Sequence, residues 1–394
     1  MRYPTSHVTQ AFVHLDHITH NVRLLQELVG DRRLWPVIKA NAYGHDAVVV
    51  GRHLVNLGYT TLCVAHVAEA ARLLEAGVQA TLVVLSATLP EHSEWLVAHD
   101  CEPVVCTLEM VERLNQAAIR AGKRVAVHVK VDTGMGRIGI WPEAVIGFLD
   151  RCQTLPAISV KGLMSHLPHT QEPDCAYSVQ QIATFRRLRD ATRRYGIGIY
   201  HLASSAAIFD LPQAAFDAVR PGIAMYGLAP SATIRNPSIH RLKPALEWKT
   251  RITYLKEVPA GTGLSYEHMF ETAKTSLIAT IPLGYGDGLS QRLSNQLEML
   301  VGGIRCAQVG RICMDQCLLD VTPLSGRVAV GDEVVMIGRQ GDADITVEEL
   351  ATRLGTINYE IVTQIAARVP RLAIGSDAIH PYAMSRSRRS LAMS

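Results

Sequence analysis

A single lysine closes the apolar run Trp35-Pro36-Val37-Ile38-Lys39, and the small, turn-forming residues Ala40-Asn41-Ala42-Tyr43-Gly44-His45 follow at once. This places an amine at the exit of a buried strand. Desolvation lowers an amine's proton affinity and makes it a nucleophile or a base. Taken alone, such a lysine is more often one that snorkels out of a strand end. Other reactive groups follow other apolar runs: Lys130, Asp132 and Arg137 after one, His166 after the next, then Ser204 and Ser205, then Arg220-Pro221-Gly222. Singly they read as a hydrogen-bonded core histidine, a helix cap and an ion-pair partner. Converging on one place, they read as a site. Proline and glycine after Arg220 leave backbone N–H groups open near a cation, a natural seat for a phosphate.

The elements that must position these groups alternate. Residues 34–39, 61–65, 81–85, 103–106, 125–132, 159–164, 199–203 and 218–222 are short β-rich apolar runs. Segments of helical spacing, at 48–57, 66–76, 108–121, 143–151 and 177–195, lie between most of them. Alternation of this kind predicts parallel strands joined by crossover helices, and eight strands is the count of a (β/α)8 barrel. An open doubly wound sheet is the alternative. In such a barrel reactive groups gather at the C-terminal strand ends, where Lys39, Leu85, Lys130, His166, Ser205 and Arg220 all fall. From about residue 242 strand-like runs alternate with glycine turns, at 245–258, 275–281, 296–301, 305–309, 317–321 and 333–337. The expected division is a barrel with its N-terminal segment over 1–241, a mostly-β domain over 242–372 and a flexible tail over 373–394.

The 394 residues carry 19% charged side chains and a net charge of +3, with no basic face for nucleic acid. The basic Arg386-Ser387-Arg388-Arg389 reads as part of a solvated tail. No run has the length of a membrane span and the N-terminus shows no signal-like apolar region, so a cytoplasmic protein is expected. Eight cysteines without a Cys-x-x-Cys pair fit reduced thiols. Two motifs read as false leads. Gly134-Met135-Gly136-Arg137-Ile138-Gly139 spells the dinucleotide fingerprint after a strand, but no helix can open until about Pro142. His14, His17 and His20 partly share a helix face, but no carboxylate or cysteine set completes a metal shell. In the second domain, Gly261–Tyr266 places a tyrosine after a glycine turn and Gly310–Asp315 a polar group after another. A loop tyrosine is usually a packing residue.

These segments together resemble the alanine racemases, from about residue 11 to 372. The resemblance rests on the Lys39 segment, Val131-Asp132-Thr133-Gly134-Met135-Gly136-Arg137, Arg220-Pro221-Gly222-Ile223, Gly261–Tyr266, 282–288 and Gly310–Asp315. It implies a (β/α)8 barrel with a C-terminal β domain, pyridoxal 5'-phosphate as cofactor and a homodimer with shared active sites. Lys39 would hold the cofactor as a Schiff base, with Tyr266 as the second catalytic base. Tyr43, Ser205, Gly222, Ile223 and Tyr359 would hold the phosphate, and Leu85 would line the cofactor. Arg220 would face the pyridine nitrogen, linked to His166 by a hydrogen bond. Arg137 would meet the cofactor phenolate and the substrate carboxylate. Tyr266, Met314 and Asp315 would serve the partner's cofactor, and Lys130 matches a position carbamylated in many members. The implied activity is interconversion of L- and D-alanine, supplying D-alanine for peptidoglycan. A serine or broad-specificity racemase on the same scaffold, a decarboxylase on the related barrel and a non-catalytic cofactor-binding protein are the competing readings. Members often carry Asn-Ser where this chain has Ser204-Ser205, and glycine where it has Asp46.

Overall fold

The computed structural model describes residues 7–168 and 176–375. The expected tail over 373–394 starts too early, because Ala373 and Ile374 belong to the strand Arg371–Ile374, which pairs with the N-terminal strand. Residues 376–394, with the basic Arg386–Arg389 stretch, lie outside the described residues, as do residues 1–6 and Cys175. The chain forms two compact units, His17–Pro244, and Met1–Asp16 together with Ala245–Ser394.

The N-terminal strand β1 (Gln10–His14) belongs to the second unit. The first unit is built on β2 (Arg33–Leu34), β3 (Thr61–Val64), β4 (Thr81–Val84), β5 (Glu102–Val105), β6 (Val125–Lys130), β7 (Ile158–Met164), β8 (Ile199–Ser204) and β9 (Ala218–Arg220). Their order is β2-β9-β8-β7-β6-β5-β4-β3, every pairing parallel. A bridge between Val37 and Cys63 joins the two ends, so the sheet closes into a barrel. Two hydrogen bonds make that joint, Cys63 N–H to Pro36 O and Ile38 N–H to Cys63 O, both 2.8 Å. The apolar run 34–39 is therefore not one long strand. Pro36 has no N–H to give, and the ladder thins to a single bridge there. The strands read as continuous apolar runs because helices cover one face and the barrel core the other. Leu62, Cys63, Val64, Val83, Val84, Val127 and Val129 are all fully buried.

The crossover helices start where side chains cap them. Asp46 accepts from Val48 and Val49 N–H to open Ala47–Asn56, and Thr107 accepts from Met110 N–H to open Leu108–Arg120. A short helix, Ser93–Ala98, lies between β4 and β5 where the sequence showed no clear period.

The second unit holds a sheet of ten strands and a two-stranded antiparallel pair, Gly263–Leu264 with Phe270–Glu271. β1 pairs antiparallel with Leu246–Arg251 and parallel with Arg371–Ile374, so the N-terminal segment grouped with the barrel in the sequence belongs to this sheet. Its five residues alternate, with Ala11 and Val13 inside, but the stronger helical period of Leu15–Val29 masks so short a signal. The run 245–258 is two strands, Leu246–Arg251 and Tyr254–Val258. Ile252 and Thr253 break it by donating to Asp332 and Thr280 on different neighbours. Two helices unread in the sequence, Val347–Leu354 and Asn358–Gln364, complete the unit. Among the described residues no helix is long and apolar enough to cross a membrane.

Candidate active site

Lys39 begins a turn of unusual hand. Ala40, Asn41, Ala42 and Tyr43 all have φ between 51 and 55°, a left-handed helical turn made without glycine, and Gly44 follows at φ 84°. Such a conformation costs roughly 1–2 kcal/mol per residue for L-amino acids. The surroundings offset it. Glu69 Oε1 accepts from Ala40 N–H at 2.6 Å, Asn41 Oδ1 from Ala47 N–H at 3.1 Å, and Ile38 O from Ala42 N–H at 2.8 Å. Asp46 also has positive φ, 71°, at the position where family members often have glycine. Its carboxylate compensates by capping the next helix at 3.0 and 3.3 Å. Strain concentrated beside one lysine marks a functional site.

The electrostatics of the mouth are cationic. Burial pushes the half-buried Lys39 amine below its ordinary range, helped by Arg137 and Arg220 and opposed by Glu69. Lys130 is buried at the end of β6 and is driven well below its ordinary value by burial, then by Arg220 and Arg137. His166, just past β7, is held well below the imidazole range by burial and by four surrounding cations, Arg220, Lys130, Arg137 and Lys39. Burial pushes Arg220 down to about 10, which leaves it protonated at neutral pH. Lys39, Lys130, Arg137, His166 and Arg220 thus act on one another at one end of the barrel. One expectation is corrected. The imidazole bonded to Arg220 is His201, whose Nδ1 lies 2.7 Å from Nη1, and Nη2 donates to the Ser165 and Leu202 carbonyls. His201 stands on β8, next to β9, so its ring can lie beside the guanidinium inside the barrel.

The phosphate seat expected near Arg220 has a definite shape. Ser205 Oγ accepts from Gly222 N–H at 2.9 Å and from Ala224 N–H at 3.4 Å, while Ile223 opens a buried 3-10 turn, Ile223–Tyr226. A Cβ on Gly222 would fall 2.2 Å from the Tyr43 hydroxyl oxygen, so that hydroxyl occupies the space the glycine leaves. Ser204, offered as a possible cap, makes no side-chain capping bond. Leu85 follows β4, half-buried, its N–H bonded to Val64 O at 2.9 Å.

The Gly134–Gly139 segment is a closed loop and opens no helix. Burial pushes the Asp132 carboxyl up, but N–H groups from Gly134, Gly136 and Met135 outweigh it and hold the group below its ordinary range. A Cβ on Gly139 would lie 2.6 Å from Asp132 N. His14, His17 and His20 reach three separate partners, Glu247, Pro244 O and Arg241 O.

The remaining candidates lie in the second unit. Tyr266 is 67% exposed and Met314 54% exposed. They line a 570 Å³ cleft with Ser265, Cys313, Asp315 and Gln316. Ser265 turns at φ 62° and its hydroxyl donates to Arg311 O at 2.6 Å, which fixes the backbone under Tyr266. Arg368 bridges Asp315 and the buried Asp287, each at 2.8 Å. Tyr359 sits half-buried on Asn358–Gln364, its hydroxyl pushed up to about 12 by burial.

Closed parallel barrel, strained lysine and cationic mouth define a barrel enzyme that carries a separate β unit. The chain belongs to the alanine racemase family: residues 13–230 match its N-terminal domain and residues 245–373 its C-terminal domain. An alanine racemase of Halothermothrix orenii is 43% identical over 366 residues, 92% of this chain and 96% of that protein. One from Clostridium novyi is 38% identical over 367 residues, 92% of this chain and 95% of that protein. Among solved structures, the alanine racemase of Clostridium difficile 630 has a TM-score of 0.88 at 33% identity, covering 94% of this chain and 96% of that one. That of Bacillus anthracis with bound L-Ala-P has a TM-score of 0.88 at 36% identity, covering 95% and 97%.

Proposed function

We propose that this chain is a pyridoxal-phosphate-dependent enzyme that interconverts L- and D-alanine in the cytoplasm, supplying D-alanine for peptidoglycan. The observation that carries the reading is the Lys39 amine, held below its ordinary range by burial and by Arg137 and Arg220, in a chain that matches alanine racemases along nearly their whole length. The residues fit the cofactor. A serine hydroxyl, two backbone N–H groups and a tyrosine hydroxyl against a bare Cα form a small polar cradle beside a buried arginine, as a phosphate requires. Tyr43, Ser205, Gly222, Ile223 and Tyr359 would hold it, with Leu85 and His166 lining the ring.

When bound, the cofactor supplies the electron sink that makes an α-proton removable. The chain's own residues do the rest. Racemisation needs a base on each face of the α-carbon. Lys39 Nζ, kept neutral more easily than an ordinary lysine, is one. The Tyr266 hydroxyl of a second copy is the other, an assignment supported by its exposure on the β unit beside Met314. Arg137, which meets no ion-pair partner among the described residues, binds the substrate carboxylate. Lys130, whose proton affinity burial, Arg220 and Arg137 lower well below the ordinary value, suits uptake of carbon dioxide, which would give Arg137 an anionic neighbour. Arg220 keeps its proton at neutral pH; it would offer the pyridine nitrogen a donor and would leave that nitrogen unprotonated, weakening the electron sink.

The test is α-proton exchange and enantiomer formation in deuterated water across the amino acids, beside Lys39→Ala. Exchange with alanine that vanishes in the variant supports the reading. A wild-type protein that binds cofactor and exchanges no α-proton overturns it, and faster exchange with serine replaces alanine as the substrate.

A further inference from the structure

Behind Arg220 a line of buried side chains runs down the barrel interior. Arg220 Nη1 lies 2.7 Å from His201 Nδ1, His201 Nε2 lies 3.1 Å from His128 Nδ1, and His128 Nε2 lies 3.0 Å from Glu102 Oε2. Lys161 Nζ donates to the other oxygen of Glu102. Both imidazoles are fully buried, and the Trp35 ring packs edge-on against each. Lys161 and Trp35 line an 870 Å³ cavity at the N-terminal strand ends, opposite the mouth.

The chemistry of the two ends settles where every proton sits. A guanidinium only donates, so His201 Nδ1 must accept and its proton stands on Nε2. That proton points at His128 Nδ1, which must accept in turn, so the His128 proton stands on Nε2 and points at Glu102. A carboxylate only accepts. All three bonds therefore run one way, from Arg220 toward Glu102. Burial holds both histidines below the imidazole range, which keeps each ring neutral with one proton. The only route by which Arg220 could lose a proton inward is a concerted shift. Its proton would pass to His201 Nδ1, the His201 Nε2 proton to His128 Nδ1, and the His128 Nε2 proton to Glu102, leaving neutral arginine and a carboxylic acid. Lys161, by pairing with Glu102, opposes the last transfer.

We propose that Lys161, Glu102 and His128 are positioning residues for the reaction, holding Arg220 protonated and oriented through a one-way hydrogen-bond line that His201 completes. The consequence for catalysis rests on the assignment of Arg220 to the pyridine nitrogen; the proton positions do not. With the line intact Arg220 stays a donor and the ring nitrogen stays unprotonated. With it broken the guanidinium can turn or titrate, and transamination grows at the expense of racemisation.

The experiment uses the holoenzyme with 15N-labelled histidine, long-range 1H–15N spectra reporting which ring nitrogen bears the proton, and substitutions assigning the signals. Both rings are expected as neutral Nε2–H forms that do not titrate across the neutral range. His128→Leu should move the His201 signals and raise the transamination-to-racemisation ratio on the order of tenfold, the scale seen when a group behind a functional imidazole is removed. His128→Gln, which can still accept from His201 and donate to Glu102, should restore both. Should His128→Leu fail to fold, Lys161→Met at the partly exposed end should shift the His128 signals and raise the ratio in the same direction. A proton found on Nδ1 of either ring overturns the proposal. So does a ratio unchanged in the folded variants. A wild-type protein without racemisation but with both Nε2–H forms would overturn the proposed activity and leave the line standing.

Discussion

A Cβ on Gly162 would stand 2.2 Å from Nδ1 of His128 on the neighbouring strand. The β6–β7 register shifts between Val127 and His128, where that ring needs room. Gly162→Ala should therefore destabilise the barrel by overpacking, by about 1–3 kcal/mol. Thermal and urea unfolding read the loss, and an unchanged midpoint would mean the glycine is not making space for the imidazole.

The same reasoning applies at the mouth. Gly222→Ala drives a methyl into the Tyr43 hydroxyl, so cofactor affinity measured by equilibrium dialysis should fall. Adding Tyr43→Phe removes the oxygen at 2.2 Å but leaves Cζ at 2.8 Å, so it should relieve the overpacking only in part while leaving phosphate binding weak. Full affinity in Gly222→Ala would show that the cradle is not the phosphate seat.

Two-base chemistry divided between copies makes a sharp forecast. Tyr266→Phe should lose racemisation by roughly 100-fold or more, the span of general acid–base contributions. Mixing inactive Lys39→Ala with inactive Tyr266→Phe should recover about a quarter of the wild-type sites, because a two-fold dimer of the two variants holds one intact pair. No recovery under conditions of subunit exchange would argue against a shared site.

Stability should depend on acidity through His128, His166 and His201. Burial lowers all three in the folded state, so the unfolded chain binds more protons just below the unfolded value of about 6.5. Their contribution is complete above that value and is lost as pH falls toward the lower folded values. The slope is about 1.4 kcal/mol per pH unit for each ring that stays neutral. Urea midpoints across this window measure it, and His128→Gln should remove one ring's share.

Arg220→Glu should lower racemisation and raise transamination, because a carboxyl group supports a protonated ring nitrogen. Pyruvate formation during turnover reports the side reaction, and a flat yield would show that Arg220 does not set the strength of the sink.

Strand-end logic made much of this site legible. Lys39, Lys130, His166, Ser205 and Arg220 each follow an apolar run, and in a parallel barrel that fact alone brings them together. What stayed hidden lies inside the strands. His128 and His201 interrupt apolar runs, a pattern that usually means a satisfied core histidine, and Glu102 precedes a proline at a strand start. Their pairing depends on which strands are neighbours and in what register, which periodicity does not specify. For β1 the signal was short: Ala11 and Val13 are buried while Gln10, Phe12 and His14 are half-buried, and the apolar Phe12 blurs the alternation. The left-handed turn after Lys39 left no composition clue either, because alanine is an ordinary helix former.

The joint that closes the barrel has a consequence in time. Val37 meets Cys63 only two residues before the lysine, and β2 takes its other neighbour, β9, from residues 218–220, near the end of the unit. Arg220, one of the cations that depress the amine, arrives with that same strand. A chain that ends before β9 lacks both the strand that flanks β2 and one of the cations that lower the amine's proton affinity, so the full set of groups acting on Lys39 is assembled only once residues 218–220 are in place.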